Sequence, residues 1–318
     1  MINKNNYSLL GHTNIRVSNL CFGTLTVSPL QCNFTNKEAS ELFCYAIDKG
    51  INFFDTAELY NTYCSLKEAI LYKEDIVIAS KAYCHDEKTA QKSIDKALIA
   101  LDRSYIDIFL LHEQESRCTI EGHWGAIEHI RKRIKQGDVR AGGLSTHHIS
   151  AVEASLGIEE LEIIHPIYNY KALGIIDGDD VEMKSAITKA IADGKGVYLM
   201  KALGGGHLIN DAKKAINFAR NIKGISSIAV GMKSTDEIDY NYALFNNELP
   251  NETATNNISM IERKLYIHDW CIGCGRCVEA CQHNALQLID NKVVINRNKC
   301  VLCGYCADKC KDFCIKVI

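Results

Sequence analysis

No apolar run in these 318 residues reaches about 18, the length needed to cross a bilayer as a helix, so no membrane span is expected. No block of Lys and Arg is present. The 36 basic and 39 acidic residues leave a formal charge of −3, which excludes a nucleic-acid binder built on a basic face. The stretch MINKNNYSLLGH lacks the apolar core of a secretion signal, and the cytoplasm is the expected compartment. Proline is scarce, with three in all, and one of them lies in the polar stretch NNELPNETATNN at 246–257. That stretch reads as part of a linker or surface excursion over 246–265. Cysteine, by contrast, is plentiful. Fifteen cysteines in a reducing compartment point to metal ligation or catalysis rather than a disulfide framework.

Residues 1–245 alternate between two patterns. Short, largely apolar runs recur at NLCFGTL (19–25), INFFD (51–55), DIVIAS (75–80), DIFLLH (107–112), VRAGGLS (139–145), LEIIHPIYN (161–169), GVYLM (196–200) and SSIAVGM (226–232). Runs apolar almost throughout suit strands buried on both faces. Between them lie helical stripes such as Ala39, Leu42, Phe43, Ala46 and Ile47, opened by a capping box of Thr35 and Glu38. Ser234 and Glu237 form a second such pair ahead of the last helix. Eight strand–helix units predict an α/β fold, a (β/α)8 TIM barrel. A doubly wound open sheet is the alternative, but no G-x-G-x-x-G follows the first strand. The segment YSLLGHTNIRV ahead of that strand reads as a hairpin plugging the barrel floor.

Residues 266–318 form a second, small α+β unit. Cys271, Cys274, Cys277 and Cys281 make a C-x2-C-x2-C-x3-C run, and Cys300, Cys303, Cys306 and Cys310 repeat it 29 residues on (271 to 300). This is the bacterial-ferredoxin spacing, in which the fourth cysteine ligates the other cluster. It assigns Cys271, Cys274, Cys277 and Cys310 to one [4Fe-4S] cluster, and Cys300, Cys303, Cys306 and Cys281 to a second. Four-cysteine zinc is the competing reading, but zinc sites usually pair two C-x2-C knuckles across a long loop. Gln282 and Lys311 replace the proline that commonly follows the fourth cysteine. Cys314 corresponds to Ala285 of the first half, which points to packing rather than ligation. So small a unit buries little apolar surface, and bound metal would act as its staple.

In the barrel, ionisable groups close apolar strands. Asp55 ends the second, with Tyr60 five residues on; Lys81 ends the third and His112 the fourth. Strand C-termini are where barrel enzymes keep their chemistry. A carbonyl taking up hydride needs a proton on oxygen, which a tyrosine phenol can supply. A neighbouring lysine ammonium is expected to lower the phenol's pKa, with Asp55 holding Lys81 and His112 orienting the carbonyl.

These residues give residues 7–245 a resemblance to the aldo-keto reductases. The family's Asp, Tyr, Lys and His fall on Asp55, Tyr60, Lys81 and His112, and GGLSTHH, HPIYN, MKALGGG and GMKSTDEIDYN look like its later strand ends. With the tail, the chain resembles the ferredoxin-tailed subgroup. The resemblance implies reversible reduction of an aldehyde or ketone by a nicotinamide cofactor, NADP(H) in preference to NAD(H). Gly23, Thr24, Met200, Lys201, Gly204, Gly205, Gly231, Lys233, Ser234, Glu237 and Asn241 would line the cofactor, with Ser145 and His165 at the carboxamide. Glu237 stands where many members carry an Arg for the 2′-phosphate, and Met200 where many stack a Tyr. The implied partners are a small carbonyl or alcohol substrate and a redox protein docking at the clusters. Two alternatives are carried: clusters that feed single electrons to a substrate in the barrel, or an electron-transfer module with an idle barrel. The family's long C-terminal loop is missing, and the cluster domain is expected in its place.

Overall fold

The computed structural model describes residues 6–318. Residues 1–5, part of the stretch read above as free of a leader core and counted to the barrel, lie outside the described residues. The strands are β1 (Tyr7–Leu9), β2 (Arg16–Ser18), β3 (Leu20–Gly23), β4 (Phe53–Asp55), β5 (Val77–Ala82), β6 (Ile106–Leu111), β7 (Val139–Thr146), β8 (Ile163–Pro166), β9 (Gly196–Leu199) and β10 (Ser227–Val230), followed in the tail by β11 (Leu265–Ile267), β12 (Leu286–Ile289), β13 (Lys292–Ile295) and β14 (Ile315–Val317). The helices are α1 (Asn36–Asp48), α2 (Tyr63–Tyr72), α3 (Glu87–Leu101), α4 (Arg117–Gly122), α5 (Trp124–Gln136), α6 (Ile149–Ala154), α7 (Asp180–Ala192), α8 (Ala212–Arg220), α9 (Thr235–Phe245), α10 (Glu252–Met260), α11 (Arg276–Glu279) and α12 (Tyr305–Asp308).

Strands β3 to β10 close into a barrel in the order β10-β3-β4-β5-β6-β7-β8-β9, all parallel. All eight expected strands are present; most are shorter than the expected runs, while β5, β6 and β7 reach one or two residues beyond them. Their apolar character has the expected cause: β5 and β6 are buried along their whole length. The barrel interior is filled by residues including Cys21, Phe53, Val77, Ile108, Leu110, Ile163 and Tyr198. Leu10, Ile15 and Val17 of the β1–β2 hairpin belong to the same cluster, so the hairpin plugs one end of the barrel. Gly11 makes that plug possible. Its φ is +53°, and a Cβ there would collide with the Lys195–Gly196 backbone at the start of β9.

The helices form the outer layer. Thr35 and Glu38 make the reciprocal capping box expected for α1, an arrangement worth about 1 kcal/mol. The second expected box is one-sided. The Ser234 hydroxyl accepts the Glu237 N–H, but the Glu237 carboxylate accepts the Lys233 N–H at 2.8 Å instead of returning to Ser234. The segment read as linker contains α10, which packs beside α9 through the buried Ala254. No helix among the described residues is long and apolar enough to cross a membrane.

The tail pairs β11 with β14 and β12 with β13, both antiparallel. It rests on the barrel mouth. Phe313 is 2% exposed and joins the core that covers the outside of the barrel. Beside it the Gly204–Gly206 turn takes left-handed φ values of 57°, 66° and 92°. A Cβ on Gly206 would strike the Val317 carbonyl, and one on Gly205 would meet Lys316 and Phe313. The triple glycine therefore lets the tail approach the end of β9.

Candidate active site

The barrel brings the four expected residues to one end. Asp55 is the last residue of β4, Lys81 the penultimate residue of β5, and His112 follows β6 directly. Tyr60 closes a single 3-10 turn over Glu58–Tyr60, and Asn61 turns the chain at a left-handed φ of 54°. Lys81 is 1% exposed and Asp55 5%. The Lys81 ammonium donates to both Asp55 oxygens, at 2.9 and 2.7 Å, and to the Thr56 carbonyl at 2.8 Å. Its Nζ lies 4.9 Å from the centre of the Tyr60 ring. Tyr60 in turn meets the His112 ring edge-on at 6.0 Å. Asp55 has a further partner that the sequence did not flag. The Tyr198 hydroxyl, buried inside the barrel, donates to its Oδ1 at 2.9 Å.

The expected lowering of the Tyr60 pKa is overturned. Burial pushes the phenol well above its usual value, and the negative charges of Asp55 and Glu113 push the same way. The reason is geometric. All three contacts of the Lys81 ammonium go to Asp55 and Thr56, and it faces the Tyr60 ring. His112 moves the other way: burial, then the Lys81 and Lys201 cations, hold its imidazole far below the ordinary range. It is therefore neutral at physiological pH and donates from one ring nitrogen only. Burial also pushes His165 down to about 4. Its Nδ1 lies 2.7 Å from the Tyr198 carbonyl, which can only accept, so Nδ1 carries the proton.

Two cavities meet at Tyr60. The first, of about 440 Å³, runs from Tyr60, His165 and Met200 out to Lys233, Glu237 and Arg263. Of the residues expected to line a cofactor, Gly23, His165, Met200, Lys201, Gly205, Gly231, Lys233, Glu237 and Asn241 do line it. Thr24, Ser145, Gly204 and Ser234 do not. Thr24 is fully buried against the Thr62 hydroxyl, and the buried Ser145 hydroxyl accepts the Glu113 N–H at 3.0 Å. Gly204 is backed by Leu173 and Leu208, and Ser234 caps α9. At the floor, a Cβ on Gly231 would run into the Thr26 side chain. The outer end gains a cation that the sequence did not reveal. Arg263, just before β11, donates to Glu237 Oε1 at 2.8 Å, with both side chains largely buried. The second cavity, of about 430 Å³, lies between the barrel mouth and the tail. Its walls include Tyr60, His112 and His147 from the barrel, and His268, Trp270, Phe313 and Lys316 from the tail.

Eight of the nine tail cysteines sort into two sets. One small cavity is lined by Cys271, Cys274, Cys277 and Cys310, with Cys314 also in its wall, the other by Cys281, Cys300, Cys303 and Cys306. These are the crossed sets that the spacing implies. Each cavity thus gathers four cysteines of one set. That arrangement fits a four-iron cube. The Ala285 N–H donates to Cys281 Sγ and the Cys314 N–H to Cys310 Sγ, each at 3.2 Å. Cys314 thus does through its backbone what Ala285 does. Left-handed glycines at 275 and 304 open the helices that carry the inner cysteines.

Comparison with known proteins agrees with this geometry. The profile of the aldo/keto reductase family matches residues 19–223. The profile of the 4Fe-4S binding domain matches residues 265–287, stopping before the second cysteine run. Among curated relatives, aldo-keto reductase family 1 member C21 of Mus musculus is 38% identical over 104 residues, covering 29% of this chain and 31% of that protein. The chain thus matches under a third of that relative's length. L-galactose dehydrogenase of Arabidopsis thaliana is 24% identical over 286 residues, covering 74% of this chain and 86% of that protein. The solved holo structure of an aldo-keto reductase from Bacillus halodurans superposes with a TM-score of 0.65 at 18% identity. That superposition covers 80% of this chain and 95% of that one, a likeness of fold.

Proposed function

The chain belongs to the aldo/keto reductase family and carries a 4Fe-4S binding domain, and on that premise we propose that it reduces a small aldehyde or ketone to the alcohol with a nicotinamide cofactor. The observation that carries this reading is the placing of Tyr60. It lines both cavities, over the Lys81–Asp55 pair and beside His112. Met200, Gly231 and Gly23 would hold the nicotinamide end of the cofactor in the first cavity, and Lys233 with Arg263 the anionic adenosine end. When bound, the nicotinamide supplies the hydride.

The side chains do the rest. Negative charge grows on the carbonyl oxygen, and Tyr60 gives its phenolic proton there. Neutral His112 donates a hydrogen bond to the same oxygen and fixes its position. Lys81 lies 4.9 Å from the centre of the Tyr60 ring, held there by Asp55, which in turn accepts the Tyr198 hydroxyl. Since burial raises the Tyr60 pKa, the phenol stays protonated at neutral pH. The site is set for reduction; oxidation would need the phenolate as base.

Arg263 beside Lys233 favours NADPH over NADH, because it offsets the Glu237 carboxylate that would otherwise repel a 2′-phosphate. The crossed cysteine sets would hold two clusters, which carry electrons singly. A reducing compartment suits such clusters, and we place the protein in the cytoplasm. The test is carbonyl-dependent oxidation of NADPH and NADH by anaerobically prepared protein across an aldehyde and ketone panel. If no nucleotide binds, or no carbonyl drives its oxidation, the proposal falls.

A second reading has its own support. Asp312 lines both the first cysteine cavity and the cavity beside Tyr60, and Trp270, next to Cys271, lines the latter. In that reading the clusters exchange single electrons with the barrel site. Bleaching of cluster absorbance when NADPH is added would favour it.

A further inference from the structure

We propose that the substrate carries a carboxylate, gripped by Lys201 from the barrel and Lys316 from the tail. This rests on the reading of the second cavity as the substrate site. Both lysines line this second cavity with Tyr60 and His112, and both also border the first. Lys316 lies on β14 and is only 4% exposed. Its ammonium donates to the Phe313 carbonyl and sits 3.0 Å from the centre of the Phe313 ring. Lys201 follows the end of β9 at a left-handed φ of 58°, a conformation costly for a residue with a side chain. Its ammonium lies against His147 Nε2 and 4.8 Å from the centre of the same Phe313 ring. Among the described residues neither lysine makes an ion pair.

Two amines facing one aromatic ring, one of them only 4% exposed, repel each other when both are protonated. Burial first, then Lys201, drives Lys316 far below its usual range, and burial pushes Lys201 down to about 8. Unpaired buried charge is expensive, and an anionic group between the two removes that cost. The Glu113 charge attracts both lysines but, among the described residues, makes no ion pair with either. The Glu113 carboxylate accepts the Tyr83 hydroxyl and stands 4.0 Å from His147. Glu115 and Asp312 also line the wall, and Asp312 pairs with Arg276 at 3.6 Å. Their negative charge favours a singly charged carboxylate over a phosphate dianion.

The acid group and the carbonyl then share one cavity, whose wall carries Tyr60 and His112 from the barrel and Phe313 and Lys316 from the tail. A substrate that meets both is an aldehyde or ketone with a carboxylate on the same small framework.

The test compares 4-carboxybenzaldehyde with benzaldehyde, using cluster-replete protein and either nucleotide. The wild type should prefer the carboxylated aldehyde by about tenfold or more in kcat/KM, the effect of one charge-assisted contact. Lys316→Met and Lys201→Met should each collapse that ratio, whereas Lys316→Arg should keep it. Cluster absorbance checks that each variant is folded. A wild-type ratio near one, or a ratio unmoved in both methionine variants, overturns the proposal. So does a loss of nucleotide affinity with the ratio intact, which would assign the lysines to the cofactor. If neither aldehyde is reduced, the wider carbonyl panel decides the reduction reading, and calorimetry with benzoate decides the anion site alone. Binding to wild type that is lost in Lys316→Met supports it, and no binding to wild type refutes it.

Discussion

Replacing Tyr60 by Phe separates catalysis from stability more cleanly than any other change in this site. Among the described residues the Tyr60 phenol oxygen has no hydrogen-bond partner, so the substitution removes no bond and leaves the ring in its contacts with Lys81 and His112. The folding cost should stay within about 0.5 kcal/mol, a shift of about 2 °C or less in Tm for a domain of this size. The catalytic cost is of another order. A positioned general acid contributes about 10²- to 10⁴-fold, or roughly 3 to 5 kcal/mol of barrier. Nucleotide affinity should hardly move, because the phenol acts only on the substrate oxygen. The assay is kcat for aldehyde reduction alongside thermal unfolding and a nucleotide titration, all under anaerobic conditions. Wild-type turnover in the Phe variant would refute the proton-donor role. A Tm loss of 5 °C or more would show that the phenol is held by a bond the geometry does not contain.

Other outcomes follow from the same contacts. Lys81→Met strands the buried Asp55 carboxylate and should destabilise the barrel by about 3 to 5 kcal/mol, read from urea unfolding; near-neutral stability would mean that Asp55 is not charged there. Arg263→Met should weaken NADPH binding about tenfold more than NADH binding, whereas equal losses would make Arg263 a purely structural partner of Glu237. His165 titrates at about 4 in the fold against about 6.5 unfolded, so its contribution is complete above pH 6.5 and lost as pH falls from 6.5 to 4, by at most about 3 kcal/mol. The urea midpoint of His165→Asn should therefore vary less over that window than that of wild type. Anaerobic protein should contain about eight irons and eight labile sulfides per chain, and zinc without sulfide would remove the cluster assignment.

The parts of this molecule legible in the sequence are those whose physics is local. Strands buried on both faces must be apolar, so all eight barrel strands stood out, and Asp55, Lys81 and His112 were conspicuous as ionisable groups closing them. The cysteine spacing carried its crossed pairing because it is set by short turns at Gly275 and Gly304. What escaped notice depends on meetings across the chain. Arg263 reaches Glu237 only because α10 carries the chain back along α9, and the polar run ETATNNISM hid that helix by burying just Ala254. Lys316 gains its meaning from Lys201, and Tyr198 from Asp55. The direction of the Tyr60 shift was misjudged for a related reason. Proximity of a lysine was legible, but not that all its hydrogen bonds go to Asp55 and Thr56.

A 4Fe-4S binding domain on an aldo/keto reductase barrel has an explanation that needs no electron to pass between them. Phe313, Lys316 and Val317 lie three to seven residues beyond Cys310, and they form the outer wall of both cavities against Gly205 and Gly206. A unit this small draws much of its folding free energy from bound metal. Loss of the clusters would release that wall, open the site to water and remove Lys316. Activity should then fall on cluster loss whether or not the clusters are redox partners of the barrel, so that result does not distinguish the two readings. The informative comparison keeps the clusters in place and changes only their oxidation state. A barrel that uses them as structure turns over equally with oxidised and reduced clusters, while one that draws electrons from them does not.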